Sequence, residues 1–223
     1  GSEMCIRDRS ISSQILPQKR EYERTSTTVI NSYVGPPVSR YLFALIQKLK
    51  LSNLTNRLTV MQSSGGVLDA ESCLQKPAHI VECGPAAGVV GAEYIAKRSG
   101  FDNVITLDMG GTTAKASIIE GGKYTLADEY EVGGGMSSSS ALVGKGGYAL
   151  KLPVIDIAEV GAGGGSIAWL DGVGSLKIGP ESAGALPGPA CYGLGGERPT
   201  VTDANLVLGL SLIHISEPTR PLD

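Results

Sequence analysis

The stretch Val104-Ile105-Thr106-Leu107-Asp108-Met109-Gly110-Gly111-Thr112-Thr113 carries more information about fold and function than any other part of this chain. A run of β-forming residues ends in a carboxylate, and two glycines and two hydroxyl residues follow it. This order predicts a strand whose turn can approach an anion, because glycine lacks Cβ and because turn N–H groups and hydroxyls donate to phosphate oxygens. A carboxylate at this place suits Mg²⁺, which takes few protein oxygens together with water and phosphate. The alternative is a hairpin turn whose glycines serve backbone geometry alone.

The two ends of the chain can be encoded by the same short DNA sequence, read from opposite strands. When Ser2–Arg9 is read back into codons, its reverse complement encodes Leu210–Glu217. This match predicts that residues 1–10 and 210–223 are translated sequencing adapter, which has to be left out of fold reasoning. We therefore expect an internal fragment of one domain, with a helix-rich part at residues 11–100 and a truncated, β-rich part that contains the phosphate loop at residues 101–209.

Composition and charge exclude several classes of protein. The net charge is −3 and the charges are scattered, so the chain has no basic field for nucleic acid. No apolar run approaches the ~18 residues that a membrane-spanning helix needs. Cys73, Cys83 and Cys191 are widely spaced and form no C-x-x-C pair, which argues against a disulfide framework and a zinc site. We expect a cytoplasmic protein that binds neither nucleic acid nor membrane.

Apolar spacing predicts the helices of the first half. One helix is expected over residues 26–49, with a break or kink at Gly35-Pro36-Pro37. A brief strand is expected at Ile80-Val81. A strong helix should follow over residues 86–99, with Gly100 as its C-cap.

The second half reads as short strands joined by glycine turns. Strands are expected at residues 115–120 and 124–132 around Gly121-Gly122, and a mobile loop at residues 133–147. An apolar strand over residues 152–160 should be interrupted after Asp156. A hairpin at residues 167–178, a loop at 179–199 and a helix that starts at Val201 complete the pattern.

Two further glycine-bearing stretches could meet an anion. Gly84-Pro85-Ala86-Ala87-Gly88 opens a helix, and helix N-termini attract anions through their free N–H groups. Small residues there could equally let the helix pack tightly. Gly161-Ala162-Gly163-Gly164-Gly165-Ser166 could lie against a ligand, or it could only turn a corner.

Five stretches of the chain have the order and spacing of the hydantoinase A/oxoprolinase family, which the chain resembles. They are Gly84–Ala92, Asp108–Thr113, Val160–Trp169, Gly188–Gly193 and Val201–Asn205, and Arg20–Arg24 and Met61–Gly66 are also similar. The resemblance implies part of an α/β fold of the actin/hexokinase/Hsp70-like ATPase type, with a mixed sheet, flanking helices and glycine-rich loops. It also implies ATP and Mg²⁺ as cofactors and phosphoryl transfer to an amide or enolate oxygen.

The substrate implied by the resemblance is a cyclic amide, as for hydantoinases and oxoprolinases, or a ketone, as for the related carboxylase subunits. A B-type hydantoinase/oxoprolinase subunit is the expected partner. The family's opposing phosphate loop lies in an N-terminal segment that the chain lacks, so we expect the 223 residues alone to hydrolyse no ATP. The alternative is a non-catalytic nucleotide-binding regulator or interaction module of the same fold.

Site residues are carried over only where the chain matches the family's stretches. Asp108 would hold Mg²⁺ and take part in catalysis, and the phosphate oxygens would be cradled by Gly110, Gly111, Thr112 and Thr113. Nucleotide or substrate would lie against Gly163, Gly164, Gly165 and Ser166. Asp156 is a second catalytic candidate because it precedes this loop, with a structural cap as the alternative.

Lys115 departs from the family pattern, in which many members carry a second carboxylate at this place. An ammonium group cannot share Mg²⁺, but it could contact phosphate as a point charge. The alternative is a solvated strand residue.

Overall fold

The computed structural model describes residues 10–54, 56–132 and 147–210. The helices are α1 (Ser12–Ile15), α2 (Glu21–Leu51), α3 (Ala70–Gln75), α4 (Cys83–Arg98) and α5 (Val201–Val207), with 3₁₀ turns at Pro77–Ile80 and Ala190–Tyr192. The strands are β1 (Thr59–Met61), β2 (Val67–Asp69), β3 (Val104–Met109), β4 (Ala114–Glu120), β5 (Lys123–Tyr124), β6 (Leu126–Ala127), β7 (Tyr130–Val132), β8 (Tyr148–Leu150), β9 (Val154–Ile155), β10 (Ala158–Val160), β11 (Ser166–Leu170) and β12 (Leu176–Ser182). The loop expected at 133–147 and the two expected adapter ends lie outside these residues, except for residues 10, 147 and 210.

The chain divides into two compact units. The first contains residues up to 106 together with 116–158, and the second contains residues 107–115 together with those from 159 onward. The largest sheet has the strand order β10–β4–β3, and β5 pairs with β4. The sequence predicts a different division, into a helix-rich part before residue 101 and a β-rich part after it, and this division stays a prediction.

Helix α2 runs without interruption through Pro36 and Pro37, so a break at Gly35-Pro36-Pro37 is wrong and a kink there stays a prediction. A proline inside a helix costs about 3 kcal/mol, because it removes an N–H donor and crowds the preceding turn. Contacts on both sides of the prolines offset this cost. Thr27 accepts a hydrogen bond from the Lys151 N–H (2.9 Å), and Leu42 is only 1% exposed.

Ser63, in the turn between β1 and β2, links several elements of the first unit. Its N–H donates to the His79 carbonyl and its own carbonyl accepts from the Ile155 N–H, both at 2.8 Å. Its buried hydroxyl accepts from the Glu82 N–H (3.0 Å), immediately before α4. The Met61–Gly66 stretch therefore has a structural role in this unit.

Two other local predictions have different outcomes. The strand expected at Ile80-Val81 is wrong, because Pro77 starts a 3₁₀ turn over Pro77–Ile80 and a short apolar run cannot reveal its conformation by periodicity. Helix α4 ends at Arg98 with Ser99 as its C-cap, one residue before the predicted end and cap, and Gly100 follows with the left-handed φ of +78° that favours glycine.

The first unit also contains the hairpin predicted around Gly121-Gly122. Both glycines have positive φ, and Glu120 pairs with Lys123. The single strand expected over 124–132 is instead three short strands, which pair with β4, β9 and β8 respectively. Apolar side chains of α4, β4 and β9 form one core of this unit (Ala86, Val89, Ile119 and Ile155), together with Ile157.

In the second unit, β11 and β12 form the predicted hairpin. Asp171 Oδ1 accepts from the N–H groups of Val173 and Ser175, which shapes the turn. Strand β12 continues to Ser182, so the loop expected from residue 179 begins later than predicted. Within residues 10–54, 56–132 and 147–210, no helix combines the length and the apolar character that crossing a bilayer requires.

Candidate functional site

The turn between β3 and β4 is closed by a hydrogen bond from the Gly110 N–H to the Thr113 carbonyl (2.9 Å). Neither Gly110 nor Gly111 has a left-handed φ. A Cβ on Gly110 would meet only the Thr113 carbonyl oxygen, at 3.8 Å, and a Cβ on Gly111 would meet no described atom within 4 Å. Backbone conformation and crowding by described residues therefore do not explain a glycine at position 111.

The carbonyl groups and the N–H groups of this turn are used differently. The Gly110 carbonyl accepts from the Gly164 N–H (2.8 Å), and the Gly111 carbonyl accepts from the Gly165 N–H (2.6 Å). The N–H groups of Gly111 and Thr112 have no acceptor among the residues that the structure describes. Successive backbone N–H groups of a turn that have no protein acceptor can bind an anion.

The second glycine loop, residues 161–166, packs directly on this turn. A Cβ on Gly163 would lie 2.5 Å from the Thr113 nitrogen and 2.6 Å from the Thr112 nitrogen and carbonyl carbon, so only glycine fits. Ser166 is fully buried, and its hydroxyl accepts from the Gly163 N–H (2.8 Å). The loop therefore supports the turn, and the structure gives Ser166 a role in holding the loop.

The loop is held in turn by the start of α5. Thr202 donates to the Gly164 carbonyl from both its hydroxyl and its N–H, each at 2.8 Å. A capping box fixes the start of the helix, in which the Asp203 carboxylate accepts from the Thr200 N–H (2.8 Å) and hydroxyl (2.7 Å).

Asp203 also accepts a hydrogen bond from the Cys191 N–H (2.7 Å). Burial would raise the pKa of Asp203, but the hydrogen bonds from Thr200 and Cys191 favour the charged form and lower the pKa to about 2. Burial and the neighbouring carboxylate raise the pKa of the Cys191 thiol to about 11, so this thiol stays protonated at neutral pH.

A cavity of about 670 Å³ opens beside the two loops. It is lined by Met109, Gly110, Gly111, Thr112, Gly164, Gly165, Ser182, Gly184, Ala185, Pro189, Tyr192, Thr202 and Asn205. The structure thus brings five of the residues predicted from sequence to one cavity, whose volume is within the usual range for small-molecule sites, about 300–1,000 Å³.

Four polar residues of the cavity were missed as individual site residues. Thr202, Asn205 and Tyr192 lie in stretches that carry the family resemblance, so a signal was present in the sequence. Ser182 had no such signal, because it falls in a stretch that reads as a loop.

Asp108 lies on β3 next to Met109 and is exposed. The described residues contain no group of three or more His, Cys, Asp or Glu side chains that could hold a metal ion. Mg²⁺ tolerates such a site, because it is commonly bound by one or two carboxylates together with water and substrate phosphates.

Lys115 is not a solvated strand residue. Its ammonium group forms an ion pair with Glu159 (3.1 Å), and the two side chains are only 22% and 15% exposed. The ammonium nitrogen also lies 3.5 Å from the Thr113 hydroxyl. Lys115 is thus paired with a carboxylate and in contact with Thr113 of the turn between β3 and β4.

Asp156 belongs to the first unit, where it follows β9 and is exposed. Its N–H donates to the Thr125 carbonyl (2.9 Å), and its carbonyl accepts from the Ser117 hydroxyl (2.7 Å). These backbone contacts are structural, and a catalytic role for its carboxylate stays a prediction.

Comparison with known proteins places these features in a family. The family model described as Hydantoinase/oxoprolinase matches residues 24–211. The chain is 50% identical over 198 residues to an uncharacterized protein of Methanocaldococcus jannaschii and 41% identical over 199 residues to the caprolactamase subunit alpha of Pseudomonas jessenii. These matches cover 89% and 88% of the chain, but only 29% and 26% of the relatives, so the chain spans about a quarter of their length.

Among solved structures, nucleotide-free acetone carboxylase has a TM-score of 0.69 and 29% identity, over 89% of this chain and 26% of that one. These findings confirm the expected fold class, an α/β fold that represents part of an actin/hexokinase/Hsp70-like ATPase. The chain belongs to the hydantoinase/oxoprolinase family.

Proposed function

We propose that this chain is part of a longer, ATP-dependent enzyme that phosphorylates an amide or enolate oxygen, and that its reaction is the hydrolysis of a cyclic amide. The observation that carries the proposal is the pair of neighbouring N–H groups of Gly111 and Thr112, two residues that line the cavity, because these groups have no acceptor among the described residues. Glycine at position 111 leaves the turn open to an anion.

The N–H groups of Gly111 and Thr112 supply the hydrogen bonds to phosphate oxygens in this proposal. A hydrogen bond to a charged group contributes about 1.5–3 kcal/mol, so two such bonds are a substantial part of the binding free energy of a nucleotide. The turn's carbonyls do not oppose the anion, because Gly164 and Gly165 already occupy them. Gly110 and Thr113 complete the cradle, and Gly163 and Ser166 support it from behind the turn.

Asp108 is proposed to hold Mg²⁺, directly or through water. When bound, Mg²⁺ would neutralise charge on the transferred phosphoryl group. Lys115 contributes through Thr113, whose hydroxyl it contacts while it is paired with Glu159. Catalysis of this kind depends on positioning and electrostatic stabilisation, which a turn fixed by other loops can provide.

The substrate class and the partner are proposed from the relatives. A relative that shares 41% identity is named caprolactamase subunit alpha, and caprolactam is a cyclic amide. We therefore propose a lactam or a hydantoin, rather than a ketone, as the substrate. We also propose a B-type subunit, separate or fused, as the partner. The free cysteines Cys73, Cys83 and Cys191 support a cytoplasmic location.

The decisive experiment is Gly111→Ala in the full-length protein, with Gly172→Ala as the matched control. Neither added Cβ would meet a described atom within 4 Å, and neither glycine has a left-handed φ, so both variants should keep the thermal stability of the wild type. Only Gly111→Ala should weaken the binding of Mg²⁺·ATP, by about 10-fold or more, because the methyl group would obstruct N–H bonds worth about 1.5–3 kcal/mol each. Equal ATP affinity in the wild type and both variants would refute the proposal.

A second measurement separates the enzyme from a regulator of the same fold. Substrate-stimulated ATP turnover is measured with lactams, hydantoins, oxoproline and ketones in the wild type and in Asp108→Asn. We expect stimulation by a cyclic amide and a loss of about 10²–10³-fold in the variant. ATP binding without stimulation by any of these compounds would favour the regulator.

A further inference from the structure

Thr202 lines the cavity, yet its hydrogen-bond donors are committed to the protein. Its hydroxyl and its N–H both donate to the Gly164 carbonyl at 2.8 Å. The Gly164 N–H donates in turn to the Gly110 carbonyl at 2.8 Å. A single residue, Gly164, therefore links the start of α5 to the turn between β3 and β4.

This link has little room to adjust. A Cβ on Gly164 would lie 2.8 Å from the Thr202 hydroxyl oxygen and 3.6 Å from the Gly110 carbonyl oxygen. The capping box between Thr200 and Asp203 holds the start of α5 without any contribution from a ligand. The Gly164 carbonyl and the Gly165 N–H belong to the same peptide group, and hydrogen bonds through one peptide group polarise one another. Two donors on the Gly164 carbonyl therefore also strengthen the Gly165 N–H as a donor to the Gly111 carbonyl (2.6 Å).

We infer that Thr202 is a positioning residue, which acts through Gly164 to hold the phosphate turn in the shape that binds nucleotide. The Thr202 hydroxyl fixes Gly164, and Gly164 fixes the Gly110 carbonyl. The turn then offers its N–H groups to an anion before the nucleotide arrives, which lowers the cost of ordering on binding. This inference rests on the proposed function, because it assigns Thr202 a part in ATP binding.

The test compares Thr202→Val, which removes the hydroxyl at nearly constant shape, with Thr202→Ser, which retains it, both in the full-length protein. Two quantities are measured: the affinity for Mg²⁺·ATP by calorimetry, and the amide hydrogen exchange of residues 107–115 and 161–166 without nucleotide. We expect Thr202→Val to weaken ATP binding and to accelerate this exchange, each by about 3–10-fold, as the loss of one net hydrogen bond implies. Thr202→Ser should restore both quantities to wild-type values.

Three outcomes would overturn the inference. In the first, Thr202→Val matches the wild type in affinity and exchange. In the second, Thr202→Ser is as impaired as Thr202→Val, because the role would then belong to packing of the methyl group. In the third, exchange rises in α5 and not in residues 107–115, because the hydroxyl would then serve the helix alone. If Thr202→Val does not fold, Thr202→Ala is judged by the same criteria.

Gly111→Ala separates a failure of this inference from a failure of the proposed function. If Gly111→Ala weakens ATP binding while Thr202→Val does not, the proposed function stands and the role of Thr202 is wrong. If neither variant changes ATP affinity, the proposed nucleotide site itself is wrong, and the inference fails with it.

Discussion

Gly163→Ala tests the contact between the two glycine loops most directly. The added Cβ would lie 2.5–2.6 Å from backbone atoms of Thr112 and Thr113, where ordinary van der Waals contact begins at about 3.4 Å. These are backbone atoms, so no side-chain rotation can relieve the clash. The loop and the turn would have to separate by about 0.9 Å, the difference between 3.4 and 2.5 Å.

Such a separation would break the bonds that join the loops. A shift of about 0.9 Å along the Gly164-to-Gly110 bond would lengthen it from 2.8 to about 3.7 Å, beyond hydrogen-bonding distance. The bond from Gly165 to the Gly111 carbonyl would lengthen in the same way. With about 0.5–1.5 kcal/mol for each bond and the strain of overpacking, we expect a local destabilisation of about 2–4 kcal/mol.

The assay is amide hydrogen exchange of residues 161–166 in the full-length protein, with ATP affinity measured in parallel. A loss of at least 2 kcal/mol in the free energy of opening accelerates exchange by about 30-fold or more. Gly172→Ala is the control, because its Cβ would meet no described atom within 4 Å and its exchange should stay near that of the wild type. The reasoning is refuted if Gly163→Ala exchanges at the rate of the control and binds ATP equally well.

Two further predictions concern charged groups of the second unit. The pKa of Asp203 is about 2 in the fold, against an ordinary value of 3.8, so its carboxylate stabilises the fold above pH 4 by about 1 kcal/mol after a discount for solvent screening, and this stability is lost as the pH falls from 4 towards 2. In thermal unfolding at pH 5 and pH 3, Asp203→Asn should be less stable than the wild type at pH 5, and the difference should shrink at pH 3; a constant difference would contradict the assignment. Glu159→Gln leaves the mostly buried Lys115 ammonium without its carboxylate and should cost about 1–2 kcal/mol in chemical unfolding, whereas Glu159→Gln combined with Lys115→Met should recover part of the loss. No recovery in the double variant would show that the ion pair is not the source of the effect.

Local features of the chain were predictable because they depend on neighbouring residues. The strand that ends near Asp108, the glycine hairpin at 121–122, the left-handed Gly100 and the start of α5 all follow from residue type and short-range spacing. The family resemblance added the ATPase-like fold, which periodicity alone does not reveal.

Features that depend on contacts across the sequence were not predictable in this way. The continuity of α2 through Pro36 and Pro37 depends on partners such as Lys151, far along the chain. The burial of Ser166 and the hydrogen bond between Gly164 and Gly110 likewise follow from tertiary packing. A glycine-rich stretch does not show which residues of another loop it will pair with. The sequence therefore indicated that both glycine loops matter, and the structure shows that one supports the other.

The support of the turn by a later part of the chain has a consequence for biosynthesis. The Asp108–Thr113 turn leaves the ribosome about fifty residues before Gly164 and Gly165, and Thr202 follows 38 residues after Gly164. A nascent polypeptide that stops before Gly164 contains the turn without the bonds that tie back its carbonyls. One that stops between Gly165 and Thr202 contains the residues that form those bonds but lacks the Thr202 contact. Under the proposed function, competence to bind ATP should therefore arise late in translation, after the second glycine loop and α5 have both emerged.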